Sequence, residues 1–535
     1  MSIHLQELTS NVTGRHTVER PTTLTMASVT HLATRITAAP DAQRAITTAP
    51  YDGSIIADLP VSTAEDVDEA FAMAREAQRA WAATPIRNRA KVIARFHDLV
   101  LRRQNEILDL MQVENGKSRK DAFLEVADIA LTARYYARSA PSLLKAKRRR
   151  GAFPVLTHTT ELRHPKGVVT VISPWNYPFS LAAGDTIPAL LAGNAVVQKP
   201  DTQTALSALW AVDLMYEAGL PKGLWQTVIG PGRVLGDALM RGSDYMMFTG
   251  STNSGRAIAG DAGEKLIGAS LELGGKNAMI VLGDADLDRA AEGAVRACFA
   301  STGQLCISIE RLYVHASVYE EFVTRFIRRI SEMRVGAAFD YSCDMGSLTS
   351  QSQLAAVTSH VDDAVAKGAT VLAGGRARPD LGPLFYEPTV LAGVTSQMEC
   401  YRNETFGPLV SIYPFSDANE AVRLANDTRY GLNASVWTRD GKRGRALAAR
   451  LHAGTVNVNE AFAAAWGSVD APMGGMGDSG LGRRHGAEGL LKYTEGQTIA
   501  HQRVMGFRPP GRMSFPLWAA ALTAAFVVMK KAGMK

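Results

Sequence analysis

The sequence predicts an α/β fold in which two strand–helix runs follow a helical layer. Three observations carry this. Apolar residues recur at helical spacing between Ser62 and Ala140. From Gly167 short apolar strands alternate with helices, and after Leu271 a second run of the same kind begins. Alternation of this sort argues for parallel sheets, and in such sheets ligands sit beyond the carboxyl ends of the strands.

Composition sets the class. The chain has 535 residues, 46% hydrophobic and 21% charged, which is ordinary for a globular protein of several domains. Lys and Arg number 58 against 52 Asp and Glu. A balance of +6 argues against a nucleic-acid binder, although it helps attract an anionic cofactor or membrane. Cys298, Cys306, Cys343 and Cys400 form no metal-type CxxC pair, so a reducing cytoplasm with free thiols and no metal site is expected.

Taken in order, residues 1–47 are expected to form a disordered arm. They show no period and no signal-like apolar stretch, and Met26 stands as an alternative start. Ser62 and Glu65 read as a capping box. Helical stripes follow over Ser62–Trp81, Arg87–Leu110 and Ala122–Ala140. Lys145–Arg150 is a basic run, either a solvated linker or a contact for an anionic surface. Thr157–His164 reads as a strand. Gly167–Ser173, Asn194–Lys199, Trp225–Ile229 and Tyr245–Phe248 are strands of the first unit, with helices through Ile187–Leu191, Ala205–Ala218 and Val234–Met240. In the second unit Ala278–Leu282, Arg311–Val314, Val371–Ala373, Leu409–Pro414 and Thr455–Asn457 are strands. Asp286–Ala300, Ser317–Arg334 and Gln353–Lys367 are its helices. Leu491–Ala500 reads as an edge strand.

The residues with chemistry in them lie at strand ends and in glycine turns. Cys306 follows Ser301-Thr-Gly-Gln-Leu, a small loop that lets a ligand approach a thiolate. The alternative is an inert buried cysteine. Cys298, on a helix face, reads as structural. Glu272 precedes Gly274-Gly275, where a partly buried carboxylate can act as a general base. Asn176 sits in Pro174-Trp-Asn-Tyr-Pro178, where a fixed amide can hold an oxyanion. Lys199, before Pro200, can hold ribose or phosphate. Phe248-Thr-Gly-Ser-Thr-Asn-Ser-Gly255 offers backbone N–H groups to a pyrophosphate, and Gly230–Gly236 is a weaker turn of that kind. Glu404 stands beside Phe406, and Pro472–Arg484 is a glycine-dense wall. Each of these is equally explained by a plain turn when taken alone.

Together and in this order, they resemble the aldehyde dehydrogenase superfamily over residues 48–505. The resemblance implies a Rossmann-type coenzyme domain (48–150 and 166–271), an α/β catalytic domain (272–484) and a small β oligomerisation element (151–165 and 485–505). A basic-apolar tail covers 506–535. It implies Cys306 as nucleophile, Glu272 as base, and Asn176 with the Cys306 N–H as the oxyanion site. It places a dinucleotide against Trp175, Lys199, Pro200, Asp201, Thr202, Gly232, Gly250, Ser251, Leu273, Glu404 and Phe406, with Lys199 and Glu404 on the two riboses. The reaction implied is oxidation of an aldehyde to an acid through a cysteine thioester.

NADP is the expected cofactor, with NAD as the alternative. Members that prefer NAD often carry a Glu where this chain has Thr202, and Asp201 is one residue away. Cys306-Ile-Ser-Ile-Glu-Arg311, Phe385-Tyr-Glu-Pro-Thr and Ala465-Trp-Gly-Ser-Val look most like actinobacterial NADP-dependent succinate-semialdehyde dehydrogenases of the second type. The arginine that anchors the substrate carboxylate six residues before the nucleophile is Ala300 here, and Arg484 and Ser468 are the candidate replacements. An inactive scaffold and a CoA-dependent acylating enzyme are the other classes. The presence of Cys306, Glu272 and Asn176 argues against the scaffold, and Glu272 against the acylating type. A homodimer or homotetramer is expected.

The tail segment Phe515–Met529 is uncharged and ends at Lys530-Lys531. It falls short of the roughly 20 residues of a spanning helix. It is read as a helix packed on its own dimer or docked on a membrane surface through residues 515–531, and the second option would favour an aliphatic or long-chain aldehyde.

Overall fold

The computed structural model describes residue 21 and residues 23–151, 157–503 and 507–533. The short apolar runs form the middle of two mainly parallel sheets. In the first, the order is Gly480–Leu481, Gly268–Glu272, Tyr245–Thr249, Val168–Ser173, Ala195–Pro200 and Trp225–Thr227. Val168 pairs with Ala195 and Ser173 with Pro200, so this pair of strands ends level. Tyr245–Thr249 is buried throughout, as a strand covered on both faces must be. In the second sheet the order is Thr370–Ala373, Thr389–Ala392, Leu409–Phe415, Ile309–His315, Asn277–Val281, Asn433–Trp437 and Thr455–Val458. Only the first pair is antiparallel.

Two of these strands, Thr389–Ala392 and Asn433–Trp437, were not legible. Asn433–Trp437 carries Asn433 and Ser435 inside a fully buried run. Its polarity is absorbed locally, with Asn433 Nδ2 donating to Ile307 O and Ser435 Oγ to Glu460 O.

The helical layer is Ala64–Ala83, Ile86–Arg102, Gln104–Asn115 and Arg119–Leu143. Its first cap lies one residue later than expected. Thr63 and Asp66 form the capping box, because the Ser62 N–H is already committed to Ile229 O and its hydroxyl to Thr37 O. The run expected over Arg87–Leu110 is two helices, broken at Arg103 (φ −106°, ψ 19°).

Two further expectations are corrected. The disordered arm does not reach residue 47. Met26–Ala33 is a helix with Val29 and Leu32 buried, and Arg44–Thr48 pairs with Ile55–Pro60. Two buried residues in eight are too few for a periodic signal. Residues 1–20 of that arm lie outside the described residues. The basic run is not a linker either. Lys147–Arg150 is an edge strand on Thr157–Pro165, which pairs on its other side with Thr494–Gln502. Arg149 and Arg163 share Glu161, so the charges stay in water while the backbone pairs.

Beyond this antiparallel sheet, Phe515–Lys531 is a helix, and Phe515, Leu517, Phe526, Val527 and Val528 on it are exposed. Among the described residues, no helix is long and apolar enough to cross a membrane.

One buried ion pair ties the helical layer to the first sheet. Lys117 Nζ lies 2.6 Å from Glu125 Oε1, with both side chains wholly buried. Glu125 Oε2 accepts the N–H groups of Phe179 and Ser180, each at 2.9 Å. Lys117 also donates to Asn176 O and sits 4.0 Å over the Tyr177 ring. Burial pushes the Glu125 carboxyl up and Lys117 pulls it back. Replacing Lys117 with Met should leave Glu125 charged and unpaired. A loss of about 3–5 kcal/mol is expected, read as a lowered midpoint in thermal denaturation.

Candidate active site

The turn before Cys306 is left-handed over three successive residues. Ser301, Thr302 and Gly303 have φ of 50°, 60° and 69°. Such backbone costs about 1–3 kcal/mol at a non-glycine residue and persists only when its surroundings hold it. Ser301 Oγ donates to the Tyr177 hydroxyl at 2.9 Å and Thr302 Oγ1 to Gly346 O at 3.1 Å. Gly303 has to be glycine, since a Cβ there would stand 2.0 Å from Gly407 O. Asn176 Nδ2 donates to Gln304 O at 3.0 Å, and Gln304 Oε1 accepts from Thr349 N. The structure thus brings Asn176 to the cysteine turn, as the sequence implied, with its second amide hydrogen still to be used.

Cys306 itself is half-buried. Burial, followed by the charges of Glu272 and Glu404, pushes its thiol up to about 12, with Arg484 acting against them. At neutral pH the thiol is protonated and needs a base. Cys298 is fully buried in the core, as a structural cysteine is.

Glu272 ends its strand, level with Thr249 on one side and Gly480 on the other. The side chain is 5% exposed and its Oε1 has no partner. Burial raises its carboxyl to about 7, moderated by Arg484 and Lys492. A carboxyl of this kind is divided between acid and base near neutrality, which suits proton transfer.

After Glu272 the chain passes under the thiol. A Cβ on Gly275 would meet Cys306 O at 2.7 Å, and one on Gly274 would meet Glu404 Oε2 at 2.3 Å. Glu404 accepts from Gly275 N at 2.7 Å. Burial, with Glu310 adding to it, raises the Glu404 carboxyl to about 8. Phe406 has φ of 54° and meets the Trp175 ring edge-on at 5.5 Å. That loop is held by groups that had no assigned role in the sequence reading. Glu310 accepts from the N–H groups of Thr405 and Phe406 and is paired with buried Lys276, while Gln353 Nε2 donates to Thr405 O and Phe406 O. Lys276 closes the Glu-Leu-Gly-Gly-Lys run, so its position was visible, but its partner 34 residues on was not.

Apart from Glu404 and Phe406, which precede a strand of the second sheet, the residues expected to hold a dinucleotide end or follow strands of the first sheet. Lys199 and Pro200 end one strand, beside Ile172 and Ser173. Lys199 Nζ donates to Pro200 O, and burial lowers its ammonium while Asp201 acts against that. Asp201 accepts from Gln203 N and so caps the short turn that contains Thr202. Gly232 opens the helix Gly232–Gly242, and a Cβ on it would meet nothing within 4 Å. Gly250 precedes Ser251, which caps Thr252–Glu264 by accepting from Ser254 N. Leu273 packs with Phe248 and Leu271. Open space at Gly232, a helix N-terminus at Ser251 and a buried amine at Lys199 fit a dinucleotide's phosphates and ribose.

Neither candidate carboxylate anchor fits its role. Arg484 Nη2 is 2.8 Å from Asp185 Oδ2, and Ser468 Oγ donates to Ala464 O. A cavity of about 690 Å³ includes Ala300, the residue before the left-handed turn, and its walls carry acids such as Glu292 and Glu460 as well as Arg289 and Arg296.

Comparison with known proteins accords with this geometry. A family model described as the aldehyde dehydrogenase family matches residues 37–499. A Mycolicibacterium smegmatis protein, provisionally named NADP(+) succinate-semialdehyde dehydrogenase, is 56% identical over 481 residues, 90% of this chain and 93% of its own. A 4,4'-diapolycopene aldehyde oxidase of Methylomonas is 38% identical over 83% of each chain. Among solved structures, a Staphylococcus aureus betaine aldehyde dehydrogenase in complex with NAD+ superposes with a TM-score of 0.83 at 31% identity. It covers 90% of this chain and 95% of its own.

Proposed function

Because the chain belongs to the aldehyde dehydrogenase family, we propose that it oxidises succinate semialdehyde to succinate with NADP, through a thioester on Cys306. The observation that carries the reaction is the joint placement of three groups. A half-buried thiol lies in a turn fixed by the Asn176 amide, and a buried carboxyl with an unpartnered oxygen stands close enough to raise that thiol.

The steps follow from these groups. Glu272, half ionised near neutrality, takes the proton that the thiol holds at rest. Sγ then bonds to the aldehyde carbon, and the carbonyl oxygen becomes an oxyanion. Asn176 Nδ2 and the Cys306 N–H donate to it, an interaction that strengthens as charge develops. Re-forming the carbonyl expels a hydride and leaves the thioester. The hydride acceptor is the nicotinamide of NADP when that is bound. Glu272 gives its first proton up to solvent and then takes one from water as the water oxygen attacks the thioester carbon, and the thiolate leaves.

Trp175, Phe406 and Leu273 line the cofactor in this account, and Lys199 and Glu404 hold its riboses. Gly232, Gly250 and Ser251 give the phosphates room and N–H donors. NADP is favoured because position 202 offers no acid to repel a 2′-phosphate, and the Asp201 carboxylate is occupied by its cap. The names of relatives accord with this substrate and cofactor.

A homo-oligomer joined through the exposed sheet Lys147–Arg150, Thr157–Pro165 and Thr494–Gln502 is part of this proposal. So is contact of residues 515–531 with a membrane surface. The tail helix is apolar around its circumference and, apart from Trp518, exposed or half-exposed, with Arg508, Arg512, Lys530 and Lys531 flanking it. A relative that acts on a diapolycopene aldehyde keeps a long apolar substrate as the second option.

Cys306→Ala should abolish aldehyde oxidation while Cys298→Ala does not. Glu272→Gln should slow turnover by about 10²–10⁴-fold and slow the burst of reduced cofactor with it, because the same carboxyl takes the thiol proton; oxidation by the Cys306→Ala enzyme would refute the nucleophile. Thr202→Glu should lower the preference for NADP over NAD, as a ratio of kcat/KM, by about tenfold. Flotation with anionic vesicles should carry the full chain upward and leave a chain ending at Ser514 behind.

A further inference from the structure

The turn that carries Arg484 has a strained neighbour. His485 has φ of 58° and ψ of 175°, a region that a residue other than glycine keeps only when its surroundings hold it. The backbone here is engaged: Arg484 exchanges both of its backbone hydrogen bonds with Met473, and His485 O accepts from Gly489 N. The His485 side chain makes no cap for the helix Gly486–Leu491 that follows. It is buried instead, with the residue 7% exposed and Nδ1 without a partner.

Two more unpartnered groups belong to the same place. Asp128 Oδ1 and Thr132 Oγ1 come from residues one turn apart on the helix Arg119–Leu143, 6% and 1% exposed. With His485, Gly184, Asp185 and Arg484, these residues wall a small enclosed cavity with room for about one water. The other polar groups at this wall are committed. Arg484 Nη2 is 2.8 Å from Asp185 Oδ2, Lys492 Nζ is 3.7 Å from Asp185 Oδ1, and the Tyr136 hydroxyl donates to Gly486 O. A buried polar atom left unpaired is costly, and three of them around one polar cavity form the arrangement that a bound water relieves.

We propose that one water is bound in this cavity, bridging Asp128 Oδ1, Thr132 Oγ1 and His485 Nδ1 and so pinning the Arg484–His485 turn to the helical layer. The donors and acceptors balance. Burial and the cations Arg484 and Lys492 keep the imidazole neutral, and with its proton on Nε2 the Nδ1 atom is an acceptor. The water donates to Asp128 Oδ1 and His485 Nδ1 and accepts from the Thr132 hydroxyl. A monovalent cation of similar size does not suit the place. Arg484 lines the wall and Lys492 shares Asp185 with it, while a hydroxyl and a neutral imidazole bring no charge to offset a third cation.

The test has a direct arm and an energetic one. A crystal structure that orders solvent should show a density peak within about 3.2 Å of all three atoms. A Thr132→Val variant should unfold at a lower temperature than the unsubstituted chain. Valine keeps the shape and the helix propensity of threonine, so the variant removes only the hydroxyl. In a dry cavity that change deletes an unpaired group and raises the midpoint. A map with no peak at this place overturns the proposal, and so does a midpoint that is raised or unmoved. A peak that rubidium replaces in a soaked crystal marks a cation and overturns the assignment to water. If Thr132→Val does not fold, the map of the unsubstituted protein decides.

Discussion

A charge taken out of water has to be matched, and that constraint holds this site together. Lys117 and Glu125 are matched inside the helical layer, and the same two groups fix Asn176 and the backbone of Phe179 and Ser180. Lys276 and Glu310 are matched in the second unit, and Glu310 fixes Thr405 and Phe406. Arg484 and Lys492 converge on Asp185 behind the base. The Lys117–Glu125 and Lys276–Glu310 pairs each use spare hydrogen-bonding capacity on a loop of the site. Burial of such pairs adds little net stability, but removal of either partner would release the loop it holds.

The thiol and the base are set by one another. Cys306 is raised by burial and by two nearby carboxyls, and Glu272 is raised by burial and by Asp185, with cations opposing. Neither group is reactive in isolation at neutral pH in the way a free cysteine beside a histidine would be. The pairing makes proton transfer from Sγ to Glu272 the gate to chemistry, and it links the first and second halves of the reaction through one carboxyl. The left-handed turn at Ser301–Gly303 places the thiol where this can happen, and its strain is borne by hydrogen bonds to Tyr177 and Gly346.

Much of the fold was legible because the period of the apolar residues survives burial. The helices Ala205–Glu217 and Gly232–Gly242 and the strands Val168–Ser173 and Tyr245–Thr249 lie within a residue or two of where the pattern put them. It failed where polarity is satisfied inside the core, as at Asn433 and Ser435. It failed also where a strand is held by backbone pairing alone, as at Lys147–Arg150. At the N-terminus a helix with only Val29 and Leu32 buried gave no period to read.

The sequence by itself determined the set of reacting groups: the cysteine after a glycine turn, the acid before two glycines, the amide between two prolines, and the absence of an acid at position 202. These are matters of residue identity and local backbone, and both are written in the order of the chain. The tertiary structure decided how those groups behave. That Glu272 sits near neutrality and that Arg484 is bound to Asp185 instead of standing free for a substrate both depend on segments far apart in the chain. Proton affinity is set by burial and by neighbouring charge, and neither can be read along a chain before it folds.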